Sequence, residues 1–394
     1  MDLARIQSAL RDAALDGWLF YDHHHRDPLS ARILGLAPDA HITRRWYYFV
    51  PASGDPRKLV HRIEPASLDS LPGRKTEYSS WQELESHLEA MLSGATRIAM
   101  QYSPRNAILY VSMVDAGTVE LIRSFGKEIF SSADLVAQFE AVLTNDQIAT
   151  HYAAQQKIDA ILAAAWQHIG SLVRSSMADS PPVDEFTIAE WLSEAMRREG
   201  LVWEHGPNVS SGESSADPHY EPAAARSRPI RNGDFLLIDI WGKLPTPGAI
   251  YYDITWTGVI GREPTEREQL VFTTVRSARN AAIAAIQTAF SSNTAIAGFE
   301  ADDAARAVIR QAGFGDKFIH RTGHNIGTDI HGAGANLDNL ETHDTRRILP
   351  DTCFSVEPGI YLPGDFGVRS EINMITRAGS AAVTGRMQTE LVRI

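Results

Sequence analysis

Four acids lie where a folding chain ordinarily keeps charge out, inside apolar runs that read as strands bound for a core. Asp239 and Asp253 sit in LLIDIWGKLPTPGAIYYDITWTG, Glu357 and Glu371 in FSVEPGIYLPGDFGVRSEINMIT, and the members of each pair are 14 residues apart. An ionised carboxylate among Ile, Leu, Val, Tyr and Phe is costly unless a cation or hydrogen bonds compensate it. A salt bridge or a strand-edge position would account for any one of them alone; four at matched spacing ask for metal. Between the pairs, IHRTGHNIGTDIHG supplies His320, His324 and His331. An oxygen-rich site with one or more imidazoles suits divalent Mn, Mg, Fe or Co better than a thiolate zinc site.

The remaining composition fits a soluble enzyme. A length of 394 residues allows roughly two to three domains and a large core. The formal charge of −12 argues against nucleic-acid or anionic-membrane partners, which call for a surplus of Lys and Arg. Cys353 is the only cysteine, so neither an internal disulfide nor a cysteine-based metal cluster is expected, and a buried structural thiol is its expected role. The amino-terminal segment MDLARIQSALRDAALDG alternates charged and apolar residues without a signal-peptide core. No run approaches the ~20 apolar residues of a membrane span, and the cytoplasm is the expected compartment.

Pattern divides the chain near residue 145, into an expected 1–145 domain and a 146–394 domain. In the first, GWLFY, RRWYYFV, KLVHRI and RIAMQYS alternate with helical stretches such as WQELESHLEAMLSG, predicting a small mixed sheet carrying helices. In the second, DQIATHYAAQQKIDAILAAAWQHIGSLVRS predicts one long helix. Capping boxes at Thr187 with Glu190 and at Thr265 with Glu268 open two more, and ADDAARAVIRQAG predicts a fourth that stops at Gly313. The acidic segments then read as two hairpins, each preceded by helices, a crude duplication. Strand alternation puts Asp253 on one face with Tyr251, Thr255 and Thr257, and Glu371 with Arg369 and Asn373 if 367 to 377 is one strand.

These residues resemble the metallopeptidases of the pita-bread fold, in the branch of Xaa-Pro peptidases that contains prolidase and aminopeptidase P and has creatinase as a relative. GHNIG around His324, VEPGIY around Glu357 and GVRSE around Glu371 carry the resemblance, which covers nearly all of the chain. It implies an α+β architecture: a carboxy-terminal pita-bread catalytic domain preceded by a smaller mixed α/β creatinase-like domain. It implies two divalent ions, manganese first, with cobalt, iron, zinc or magnesium as alternatives, held by Asp239, Asp253, His324, Glu357 and Glu371. Asp253 and Glu371 would bridge, Asp239 would chelate one ion, His324 and Glu357 would complete the other, and Glu357 would also shuttle a proton. His219 and His331 would contact the substrate, and Arg369 would orient Glu371 or meet an anionic end of the substrate. His320 reads as a buried partner rather than a ligand. Independently of the resemblance, such a donor set suits two ions about 3.5 to 4 Å apart, which together acidify a shared water. The implied partners are a proline-containing dipeptide or short peptide and a second copy of the chain as a homodimer.

Three departures from the family pattern touch the surroundings of these ligands. The first acidic pair carries an enlarged turn at GKLPTPGA, Asn373 stands where a second acid is common, and Gly332 follows His331 where an acid is common. The tract His23, His24, His25 reads as a solvated loop, since three consecutive histidines cannot all face one ion, or as part of a neighbouring subunit's active-site entrance. HGAGANL reads as a turn rather than a dinucleotide loop, and no Walker loop, GxSxG elbow or HExxH helix is present. A creatinase-like amidinohydrolase and a non-catalytic peptide- or protein-binding relative are the alternative readings.

Overall fold

The computed structural model describes residues 1–37, 39–175 and 183–394. Its contacts divide the chain into two units, Met1–Glu140 and Ala141–Ile394.

The first unit is built on six strands: β1 (Gly17–Asp22), β2 (Trp46–Pro51), β3 (Arg57–His61), β4 (Arg74–Tyr78), β5 (Arg97–Met100) and β6 (Glu128–Ser131). Their order is β4-β3-β2-β1-β5-β6, with β1–β2 and β2–β3 antiparallel and the other neighbours parallel. Helices α1 (Leu3–Asp12), α2 (Pro28–Leu34), α3 (Trp81–Met91), α4 (Ala116–Ser124) and the single turn α5 (Ala133–Val136) complete it. The mixed sheet agrees with the sequence pattern, and the two strands that the pattern missed, RKTEY and EIFS, are its edges. Strand β4 carries mostly exposed polar residues, and β6 is four residues long with only Ile129 and Phe130 apolar, so neither has the apolar run that betrays a central strand.

The second unit opens with α6 (Asn145–Ser175) and α7 (Glu185–Arg198), then β7 (Asn208–Ser211), β8 (Phe235–Gly242) and β9 (Tyr252–Val259). Next come α8 (Glu266–Ser291), α9 (Gly298–Gln311), β10 (Asn325–Ile326), β11 (Cys353–Val356), β12 (Gly359–Tyr361), β13 (Gly367–Arg369), β14 (Ile372–Arg377), β15 (Ser380–Thr384) and β16 (Val392–Arg393). One sheet runs β16-β9-β8-β7, a second runs β10-β11-β14-β15, and β12 pairs with β13. The helical pairs α6–α7 and α8–α9 each precede a sheet, and a large apolar cluster packs α8 and α9 against strands β11 to β14.

Two helix starts differ from expectation. Helix α7 is capped by Asp184, whose carboxylate accepts Thr187 N–H at 2.7 Å, so Thr187 is the third helical residue and not the cap. Helix α9 begins at Gly298, three residues before the acidic pattern starts, because Glu300 accepts the backbone N–H of Ala297 at 2.7 Å. The Thr265–Glu268 box is present at α8 as expected.

The larger difference concerns the second acidic pair. Residues 367 to 377 are not one strand: β13 ends at Arg369, β14 starts at Ile372, and Glu371 N–H leaves the ladder to donate to Thr255 O of β9 at 3.2 Å. Glu357 likewise falls between β11 and β12. Both acids thus stand at a break between two ribbons, where the backbone turns from one sheet toward the other.

Candidate metal centre

The β8–β9 ladder sets the first pair of acids: Asp239 lies opposite Thr255 and Asp253 opposite Trp241. The broken ribbon brings Glu357 and Glu371 to the same place, and His324 enters from the residue before β10. Glu371 is 1% exposed, His324 4% and Asp253 6%. Asp239 and Glu357 are half-buried.

Ligating atoms of Asp253, His324 and Glu371 all lie within 4.8 Å of one another. His324 Nε2 is 3.6 Å from Asp253 Oδ2 and 3.4 Å from Glu357 Oε1, which brings Glu357 into the group. Its Nδ1 faces Asn325 O at 3.3 Å, the arrangement that leaves Nε2 free to ligate. Asp239 joins through Thr255, whose hydroxyl is 2.9 Å from Asp239 Oδ1 and 2.7 Å from Glu371 Oε2. A hydroxyl carries one proton, so it satisfies only one of those two oxygens. Asp253 Oδ1 and Glu371 Oε1 are buried with no hydrogen-bond partner among the described residues.

Crowding shows in the electrostatics. Burial, then the charge of Asp239, holds the Asp253 carboxyl well above the usual carboxylate range. Burial followed by Asp253, Glu357 and Asp239 does the same at Glu371. Glu357 is raised by burial, against the opposing pull of His324 and Arg369, and burial lowers His324. Carboxylates that resist ionising together, with two oxygens left partnerless, form a site that divalent cations fit: the donors are hard oxygens plus one imidazole.

Arg369 is 4% exposed and pairs with Asp239 through Nη2, reaches Glu357 Oε2 at 3.9 Å and donates from Nε to Thr255 Oγ1 at 3.0 Å. From sequence its expected partner is Glu371 or an anionic end of the substrate; across the break at Ser370 its hydrogen bonds reach Asp239 and Thr255. Of the two substrate-facing candidates, His331 packs its ring edge-on to His324, with centroids 4.4 Å apart. The neighbouring His324, then burial, pushes His331 down to about 2. His219 is exposed, and its charge acts on His331 from nearby. Its loop is anchored at Tyr220, whose hydroxyl donates to the buried Glu185 of α7.

His320 is not among the ligands. Its Nε2 meets the Tyr361 hydroxyl at 2.8 Å, and Arg369 Nη1 donates to the same oxygen at 3.2 Å, so a line of polar contacts runs from His320 to Asp239. Ser355 was missed: its hydroxyl donates to Glu357 Oε1 at 3.0 Å and accepts His324 N–H at 2.9 Å, joining two candidate ligands. Also missed was the buried pair of Asp302 and Arg306 on α9. Asp302 accepts Thr322 N–H at 2.9 Å, while Arg306 donates to Phe318 O and His320 O at 3.0 and 2.8 Å, fixing the loop that presents His324. For Tyr361 the signal was present in VEPGIY; Ser355 and Asp302 carry none, because only the folded backbone brings them close.

The departures have physical reasons. A Cβ on Gly332 would stand 2.3 Å from Asn325 Oδ1, so a side chain there would have to displace an amide held by Cys353 O and Gly334 N–H. The Asn373 side chain accepts the backbone N–H of Asp253 at 2.9 Å, and a carboxylate in its place would add another negative charge beside Asp253 and Glu371, which burial and their neighbours already hold above the usual range. Lys243 in the enlarged turn donates to Thr328 O, tying that turn to the loop after β10. Cys353 is fully buried, with Sγ 3.8 Å from His151 Nδ1, as a structural thiol should be. The rings of His23 and His24 pack edge-on at 4.3 Å, in the first unit.

Residues 151–378, more than half of the chain, match the family described as metallopeptidase family M24. The chain is 28% identical over 342 residues to the probable dipeptidase PepE of Mycobacterium tuberculosis, covering 85% of this chain and 82% of that one. It is 30% identical over 188 residues to the Xaa-Pro dipeptidase of Pyrococcus furiosus, covering 47% and 48%. Thus the chain spans about half the length of several curated relatives that it matches. The crystal structure of dipeptidase PepE from Mycobacterium ulcerans superposes with a TM-score of 0.70 at 24% identity, over 99% of this chain and 96% of that one. The shared fold is the pita-bread fold, α+β as expected.

Proposed function

Since the chain belongs to metallopeptidase family M24, we propose that it is a metal-dependent peptidase that hydrolyses the bond before proline in dipeptides or short peptides. Asp239, Asp253, His324, Glu357 and Glu371 would hold two divalent ions, manganese first. When bound, the ions supply Lewis acidity to a carbonyl and acidify water. The observation that carries the reading is the convergence of Asp253, His324 and Glu371 with two buried carboxylate oxygens that have no hydrogen-bond partner among the described residues.

The chain's own residues supply the rest. Glu357 is the acid placed to take a proton and return it to the leaving nitrogen: it is half-buried where Glu371 is closed off, and Ser355 fixes one of its oxygens. His331 and His219 are the donors on the accessible side and would bind the substrate carbonyl, a contact typically worth about 3 kcal/mol in the transition state. Arg369 positions Asp239 and Thr255 and sets a positive charge among the acids that offsets their mutual repulsion. A homodimer in the cytoplasm belongs to the same proposal.

The test is hydrolysis of Ala-Pro, Gly-Pro and an Xaa-Pro-Yaa tripeptide by chelated protein reconstituted with manganese or cobalt. Turnover of the dipeptides alone selects a prolidase, and tripeptide cleavage an aminopeptidase P. No turnover of any of them by the metal-loaded protein would refute the substrate claim.

A further inference from the structure

The first unit contains a recess that nothing above uses. Its volume is about 770 Å³, within the range of roughly 300 to 1,000 Å³ common for ligand pockets. Arg26, Arg44 and Arg45 line it together with His23, His24 and His61. Among the described residues, none of the three guanidinium groups has a carboxylate oxygen within 4.0 Å. Arg45 is half-buried, beside the Tyr78 hydroxyl. The one acid on the wall, Asp115, is engaged in capping α4: it accepts Thr118 N–H at 2.9 Å and the Thr118 hydroxyl at 2.8 Å.

A chain with a formal charge of −12 therefore gathers three fixed positive charges against one acid in a single concavity, a local reversal that draws anions. The amino-terminal ends of α3 and α4 also reach this space, at Ser80 and Gly117, but each is capped by its own acid, Glu83 and Asp115, so the arginines supply the attraction. Planar guanidinium forks match carboxylate and phosphate oxygens in pairs. Trp81, 63% exposed, supplies a flat apolar wall.

We propose that this recess binds a small dianion, a phosphate monoester or a dicarboxylate, with Arg26, Arg44 and Arg45 as its anchors and Trp81 against the body of the ligand. Phenyl phosphate and phthalate share a ring and differ in the anion, so the pair separates the two sources. Each is titrated calorimetrically into full-length, manganese-loaded protein, into Arg44→Ala/Arg45→Ala, into Arg26→Ala and into His324→Ala.

The expected result is one site per chain for at least one probe, weakened tenfold or more in the double variant and at least threefold in Arg26→Ala, with His324→Ala unchanged. Arg26 is exposed, so its truncation leaves the fold intact if the double variant unfolds. Absence of binding by both probes overturns the proposal, as does binding that survives the arginine changes or disappears with His324→Ala.

Discussion

At Thr255 one hydroxyl proton faces two carboxylate oxygens while Arg369 donates to the same atom. It is the hub through which Asp239 and Glu371, on different ribbons, are held in register. Thr255→Val keeps the β-branched shape and removes the hub. It should lower kcat on an Xaa-Pro substrate about 10- to 100-fold, the usual effect of losing a group that supports metal ligands, with circular dichroism unchanged; a normal kcat would deny Thr255 this role. His324→Ala should abolish turnover and lower the bound metal measured by emission spectrometry. Strand alternation already placed Thr255 on the face of Asp253, so its position was legible while its partners were not. Ser355 meets the backbone of His324 through the pairing of β10 with β11, and Tyr361 meets His320 and Arg369 across the chain, contacts that no local pattern specifies.

At the level of elements, α9 and the loop after it act through a buried ion pair. Removing one partner of such a pair leaves an uncompensated charge and typically costs about 3 to 5 kcal/mol. Asp302→Ala should therefore lower the urea midpoint strongly and reduce metal content, since Asp302 fixes the loop of His320 to His324; an unchanged midpoint would contradict this. Helix α6 supplies a pH-sensitive anchor: His151 meets Tyr251 O at 2.6 Å and Thr384 Oγ1 at 2.9 Å, and burial holds its ring down at about 4. The unfolded chain then takes up more protons than the native one below the ordinary value near 6.5. Stability from this residue is complete above about 6.5 and falls with pH down to about 4, by on the order of 3 kcal/mol. Urea titrations at pH 7 and pH 4.5 should show that loss in the wild type and a smaller one in His151→Gln. The long helices were legible from periodicity, their starts less so: Asp184 precedes the apolar pattern, and Glu300 acts through a backbone N–H.

For the molecule as a whole, divalent ions that bind the native state alone stabilise it by mass action, about 2.7 kcal/mol at a free concentration one hundred times Kd. Chelation should lower the melting temperature of the second unit, and manganese should restore it; a melting curve indifferent to both would count against the centre. What the amino-acid order made plain was the pita-bread architecture and a set of candidate ligands, because acids in apolar surroundings have few explanations and the motifs around them resemble a known family. The basic recess of the first unit was hidden: its arginines and histidines come from separate loops and strand ends, and only the sheet gathers them.

The break at Ser370 has a further consequence. Because Glu371 is tied by its backbone to Thr255, and Asp239 and Asp253 come from one half of the second unit while His324, Glu357 and Glu371 come from the other, the candidate centre has no existence in either half by itself. An ion held by all of these donors would therefore report that the two halves have closed on each other, a signal that neither segment alone could give.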